Sequence, residues 1–274
     1  MANIKTRDDV HLYAKDWGSG RPVVLIHGWP LSSDTWDDVA MALAESGFRA
    51  ISYDRRGFGR SDQPYAGYDY NTLSDDLADV IEATNARDAT LVGFSMGGGE
   101  VARYMSRHEG KHVMQAVLIS SVVPYMAKAP DHPHGVDPSA LEEMTSQIKT
   151  DRAKFFDSFF DTFFGRSTFE KSVSAEVKQW AWNMAMQASL KATLDAANAF
   201  ATTDFRAELP AFNVPTLLIH GTEDKTVPIN ATSRLVAAQV QDARIEEYIG
   251  APHGLFASHK HRLIGDLLSF LVRG

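Results

Sequence analysis

Cysteine is absent from the 274 residues. That removes disulfides, thiolate nucleophiles and cysteine-ligated metals from consideration. Long apolar runs are missing as well: nothing approaches the roughly 18 residues a membrane-crossing helix needs. Residues 1–9 also lack the apolar stretch of a secretory signal, so the expected location is cytoplasmic, with no membrane partner. Positive charge is in deficit, with 27 Lys and Arg against 35 Asp and Glu, a net charge of -8. No basic stripe offers itself to a polyanion, so no nucleic-acid partner is expected. Internal repeats and low-complexity tracts are lacking too.

What is present is an alternation of short apolar runs with helical patterns. Val10, Leu12 and Ala14 alternate with polar residues, as in a half-buried antiparallel strand. Then come continuous runs at Val23-Val24-Leu25-Ile26, Ala50-Ile51-Ser52-Tyr53, Thr90-Leu91-Val92, Ala116-Val117-Leu118-Ile119, Thr216-Leu217-Leu218-Ile219 and residues 245–249. Such runs suit parallel strands covered on both faces. Leu73, Leu77, Val80 and Ile81 share one helical face, as do Leu263, Ile264, Leu267, Leu268 and Leu271. A wound α/β sheet follows. The alternation breaks over residues 124–210, which read as helices only. There Phe155, Phe156, Phe159, Phe160, Phe163 and Phe164 fall on one stripe, after a loop rich in Pro and His. An insertion of this kind could lie over the sheet as a lid.

Gly93-Phe94-Ser95-Met96-Gly97 fits G-x-S-x-G. Read alone, the pentapeptide is equally a Gly-rich turn with a capping serine. Its position after one strand and before a helical pattern makes it a nucleophile turn. A serine nucleophile needs a base to take its proton and a carboxylate to orient that base. Both follow in order beyond late strands. Glu223 and Asp224 lie in the segment after Ile219, and His253 lies in Ala251-Pro252-His253-Gly254. An oxyanion needs backbone donors, and two are placed to serve. One is the N–H of Met96, directly after the serine. The other is the N–H of Trp29, in the His27-Gly28-Trp29-Pro30 loop after an early strand. The other histidines compete poorly: His27 and His220 end strands, while His132 and His134 read as solvated loop residues. No further ligands join them, so no metal and no cofactor are expected. The segment Asp54–Asp62, rich in Gly, Arg and Asp, reads as a locked turn rather than a charged site.

Four segments together resemble the bacterial aryl esterase and cofactor-free haloperoxidase (perhydrolase) family of the α/β-hydrolase fold. They are His27-Gly28-Trp29-Pro30, the stretch from Tyr53 through Asp62, Gly93-Phe94-Ser95-Met96-Gly97-Gly98-Gly99-Glu100 and Ala251-Pro252-His253-Gly254. The resemblance runs from about residue 10 to the C-terminus. It implies a mostly parallel eight-stranded sheet flanked by helices, with a core formed by residues 1–123 and 207–274 and a helical cap formed by residues 124–206. It also implies the triad Ser95, His253 and Asp224, because the family keeps its acid three residues after the glycine that is Gly221 here. Donors at Trp29 and Met96 and frequent homo-oligomers are implied as well.

The expected activity is cleavage of small or aromatic carboxylic esters through a covalent serine ester, slowing on acidification as the base takes up a proton. Pro30 fixes its own backbone angle and restricts Trp29, which could aim the Trp29 carbonyl at the acyl-enzyme and favour attack by hydrogen peroxide. In the family resembled, a proline here accompanies peracid formation. Pro30, Phe159 and Phe160 are the candidate pocket residues, and the partner is a small ester or acid. A lactonase, amidase or carbon–carbon bond hydrolase would use the same triad. A cofactor-free oxygenase or lyase would use His253 as a base without acylating Ser95.

Overall fold

The continuous apolar runs become the strands of one sheet. In a computed structural model that describes residues 2–165 and 172–272, the chain runs β1 (Ala2–Lys5), β2 (His11–Gly18), β3 (Pro22–Ile26), α1 (Asp37–Glu45), β4 (Arg49–Tyr53), α2 (Tyr70–Ala83), β5 (Ala89–Phe94), α3 (Met96–Arg107) and β6 (Val113–Ile119). It continues through α4 (Pro138–Phe163), α5 (Ala175–Gln187) and α6 (Leu190–Thr202) before returning to the sheet. The last elements are β7 (Thr216–Gly221), α7 (Ser233–Gln239), β8 (Ala243–Tyr248), α8 (Leu255–Ser258) and α9 (Lys260–Leu271). The eight strands lie in the order β1-β2-β4-β3-β5-β6-β7-β8. β2 pairs antiparallel with both β1 and β4, and every other pairing is parallel. This is the mostly parallel, helix-flanked sheet expected of the α/β-hydrolase fold.

Register decides what the sheet brings together. Ile26 pairs with Gly93, Phe94 with Ile119, Ile119 with Ile219, and Gly221 with Tyr248. The carboxyl ends of β3, β5, β6, β7 and β8 therefore line up along one edge, and the loops leaving them share one space. In parallel α/β sheets that edge is where ligands bind. The central strands β3, β5 and β7 are buried along their whole length, as two covered faces require.

Helices α4, α5 and α6 are inserted between β6 and β7. Residues 166–171 of the expected cap lie outside the described residues. α4 is bent: Asp151 has non-helical angles (φ -155°, ψ 86°), and its carboxylate accepts from the Lys154 N–H at 3.0 Å. The second half of α4 thus begins with its own acidic cap. Phe156, Phe160 and Phe163 of α4 and Phe164 just beyond it are buried. They carry the insertion onto the carboxyl edge of the sheet. Trp29 packs on Phe156, Phe159 and Phe200 with ring centroids 5.5 to 5.6 Å apart, and its indole N–H donates to the Thr193 carbonyl of α6 at 3.0 Å. One expectation is corrected here. His132 is not solvated but buried, because its ring nitrogen meets the Tyr125 carbonyl at 3.0 Å and its ring packs on Tyr125.

Candidate active site

Ser95 stands between β5 and α3 with φ 55° and ψ -118°, a conformation costly for any residue with a Cβ and held only by its surroundings. The Ser95 N–H donates to the Ile119 carbonyl of the neighbouring strand at 2.8 Å. The flanking glycines are demanded by contact. A Cβ on Gly93 would lie 2.5 Å from the Gly97 carbonyl oxygen, and one on Gly97 would lie 2.6 Å from that of Ile26. The turn is thereby pressed against β3 with its serine side chain held outward.

The loops after β7 and β8 bring two more residues to it. His253 Nε2 lies 3.0 Å from Ser95 Oγ, and His253 Nδ1 lies 2.6 Å from Asp224 Oδ2. All three side chains are buried. Asp224 Oδ1 accepts from the N–H groups of Thr226 and Val227 at 2.9 and 2.8 Å. Burial works against its charge. The neighbouring His253 and His220 rings and their hydrogen bonds outweigh burial, and the carboxyl sits well below the ordinary carboxylate range. An ionised carboxylate can only accept, so His253 Nδ1 carries the proton and Nε2 is left to accept from the Ser95 hydroxyl.

His220 of β7 joins the same carboxylate. Its Nε2 lies 3.2 Å from Asp224 Oδ2 and 2.9 Å from the Val227 carbonyl, while Nδ1 lies 2.7 Å from Ser233 Oγ. Two acceptors at Nε2 mean that Nε2 donates. The sequence alone assigned His220 to a strand end. Spacing gave no signal for more, because side-chain directions in the turn between His220 and Asp224 follow no period.

Among the described residues, no hydrogen bond is found from the backbone N–H of Trp29 or of Met96. Met96 opens α3, where first-turn N–H groups have no partner within the helix and the dipole favours negative charge. Gly28 approaches so closely that a Cβ there would meet Phe94 Cδ1 at 2.7 Å and Ser95 Cβ at 3.0 Å. The loop carrying Trp29 thus runs directly past the serine.

A second buried cluster lies behind this loop. Arg55 pairs with Glu100 of α3 and donates to the His27 carbonyl at 2.6 Å, while Tyr53 donates to Glu100 at 2.9 Å. His27 Nε2 accepts from the Arg55 N–H at 3.0 Å, so Nδ1 carries the proton and donates to the Gly28 carbonyl at 2.9 Å. Burial and the neighbouring Arg55 charge push His27 down to about 3. Asp54 is spoken for in the same way, by Ser33 and Arg60.

The family model described as the alpha/beta hydrolase fold matches residues 21–260 of this chain. The chain belongs to the alpha/beta hydrolase fold family. Within it, the chain is similar to a non-heme chloroperoxidase of Kitasatospora aureofaciens, at 40% identity over 99% of both proteins. It is similar also to a bifunctional esterase/perhydrolase of Acinetobacter calcoaceticus, at 37% identity over 99% of both. A solved bromoperoxidase from Bacillus anthracis superposes with a TM-score of 0.94 at 43% identity, covering 98% of this chain and 99% of that one.

In this alpha/beta hydrolase a cavity of about 50 Å³ meets Ser95. Trp29, Val122, Met126, Leu141, Met144, Phe159, Phe200, Thr226 and Val227 complete its wall. An outer groove of about 510 Å³ shares Leu141, Met144, Phe159 and Thr226 with it. Of the three candidate pocket residues, Phe159 lines the cavity. Pro30 and Phe160 do not: Phe160 is turned into a layer of rings with Phe156, Phe159, Phe163 and Phe164. Among the described residues no group of three or more His, Asp or Glu could hold a metal, and no helix is long and apolar enough to cross a membrane.

Proposed function

We propose that the protein is a serine hydrolase of small carboxylic esters working through a covalent acyl-enzyme. Ser95 Oγ attacks the ester carbonyl while His253 Nε2 takes its proton, and Asp224 holds the imidazole in the required tautomer. The Trp29 and Met96 N–H groups receive the oxyanion. His253 then protonates the departing alcohol and activates water for deacylation. The observation that carries this reading is the unbroken chain of hydrogen bonds from Asp224 through His253 to Ser95, opening on a nearly apolar cavity. On this reading residues 124–206 act as a cap over a core of residues 1–123 and 207–274, and the cavity of about 50 Å³ favours short acyl groups.

Initial rates on p-nitrophenyl esters from acetate to octanoate test it. Rates are expected to fall with chain length and to drop by several orders of magnitude in Ser95→Ala. Activity that survives unchanged in that variant, or is absent from both proteins, overturns the reading.

Perhydrolysis belongs to the same proposal. Hydrogen peroxide in place of water would attack the acyl-enzyme carbonyl, releasing peracid and regenerating the Ser95 hydroxyl. Pro30 following Trp29 supports it, as does the likeness to a relative described as an esterase/perhydrolase. Pro30→Leu is expected to lower the perhydrolysis-to-hydrolysis ratio, and an unchanged ratio discards the role given to Pro30. Cell fractionation and light scattering test the two remaining parts, a cytoplasmic location and a homo-oligomer.

A further inference from the structure

The hydroxyl of Thr226 is buried from solvent and has no hydrogen-bond partner among the described residues. Its place makes that informative. Thr226 lines both the cavity at Ser95 and the outer groove, and its companions at this neck, Leu141, Met144 and Phe159, are all apolar. Nor is its backbone free to turn away. The Thr226 N–H donates to Asp224 at 2.9 Å and the next N–H, that of Val227, at 2.8 Å. The turn that holds the carboxylate therefore also fixes where the threonine stands. If the position only had to be filled, valine would fill nearly the same volume without burying an unmatched hydroxyl.

We infer that the Thr226 hydroxyl is a substrate-binding group that recognises an oxygen on the longer arm of the ester, where that arm passes the neck. The inference rests on the ester-hydrolase reading above. A cavity of about 50 Å³ is far below the roughly 300 Å³ at which pockets begin to enclose a whole ligand. Any longer arm must leave through the neck, and its atoms two to four bonds from the carbonyl meet Thr226 there. The substrate class is thus short esters carrying an ether, hydroxyl or oxo oxygen at that distance, rather than plain alkyl esters. A site that offers a buried hydrogen-bonding group discriminates against the analogue lacking its partner.

Two matched pairs test this: ethyl methoxyacetate against ethyl butanoate for the acyl arm, and 2-methoxyethyl acetate against butyl acetate for the alcohol arm. In at least one pair, Thr226→Val is expected to lower the oxygen-to-hydrocarbon ratio of kcat/KM about five- to tenfold. Thr226→Ser, which keeps the hydroxyl, should hold that ratio within about twofold. Because each ratio compares two esters on one protein, partial loss of folded enzyme cancels. The same ratio is read without turnover from the dissociation constants of the four esters, by ligand-observed NMR on Ser95→Ala and on Ser95→Ala/Thr226→Val. Failure of the hydrolase reading would leave those binding ratios measurable. If both pairs keep their ratios within twofold in Thr226→Val, in turnover and in binding, the role of Thr226 is overturned.

Discussion

Two buried charged clusters flank the turn at Ser95, and they differ in what they leave undone. In the first, Glu100 takes the Arg55 guanidinium on one oxygen and the Tyr53 hydroxyl on the other. Arg55 also secures the His27 carbonyl, and His27 has a partner for each ring nitrogen. Burial, with Glu100 beside it, raises the Tyr53 hydroxyl well above the ordinary phenol range and keeps it a donor. In the second cluster Asp224 is just as well supplied, by two backbone N–H groups and two histidines. Among the described residues, however, the Ser95 hydroxyl meets only His253, and the nearby Trp29 and Met96 N–H groups have no partner. Burying charge beside a nucleophile is therefore no sign of chemistry by itself. A closed network fixes loops, whereas one that ends in a transferable proton and unused donors is poised to react.

The sharpest test of the contrast is to remove one carboxylate from each cluster. Asp224→Asn is expected to lower kcat by about 10⁴-fold with little change in melting temperature. An amide turned toward His253 can donate where the carboxylate only accepted, which puts the imidazole proton on Nε2 and blocks the transfer from Ser95. Glu100→Gln should do the reverse. It leaves the Arg55 guanidinium buried without a counter-charge, at a cost of about 3–5 kcal/mol in urea unfolding, while the folded fraction keeps kcat within about tenfold. Should Glu100→Gln prove as inactive as Asp224→Asn and just as stable as the parent, the two clusters would not differ in kind.

The same division separates what the sequence makes legible from what it does not. Strands β3 to β7 could be read because burial on both faces makes them continuous apolar runs, whereas β8, read over residues 245–249, starts earlier at Ala243 and ends at Tyr248, before the 79% exposed Ile249. β1 could not be read: Ile4 is buried between the exposed Asn3 and Lys5, and an edge strand needs no more. Ser95, Asp224 and His253 were legible because the order of strands puts each just beyond a strand end. His220 and Thr226 were not, since their roles depend on where side chains point within one turn. The bend at Asp151 was equally hidden, because the phenylalanine stripe lies wholly after it. Phe160 shows the limit of stripe reasoning: a stripe says which residues face the sheet, and packing decides which of them meet the cavity.

The first cluster makes one further claim, that it is closed only while His27 is neutral. His27 titrates at about 3 when folded and at about 6.5 when unfolded. Between those values the unfolded chain binds a proton that the folded chain refuses, so stability falls as pH falls. The slope attributable to this residue is at most about 1.4 kcal/mol per pH unit. Above pH 7 neither state binds the proton and the contribution is flat. His27→Gln removes the titration while offering an amide oxygen to the Arg55 N–H. Urea unfolding at pH 7, 6 and 5 should therefore show a shallower loss of stability in this variant than in the parent. Equal slopes would mean that His27 already accepts a proton in the folded state. Its Nε2 would then no longer take the Arg55 N–H, and the anchor behind the Trp29 loop would open under mild acid.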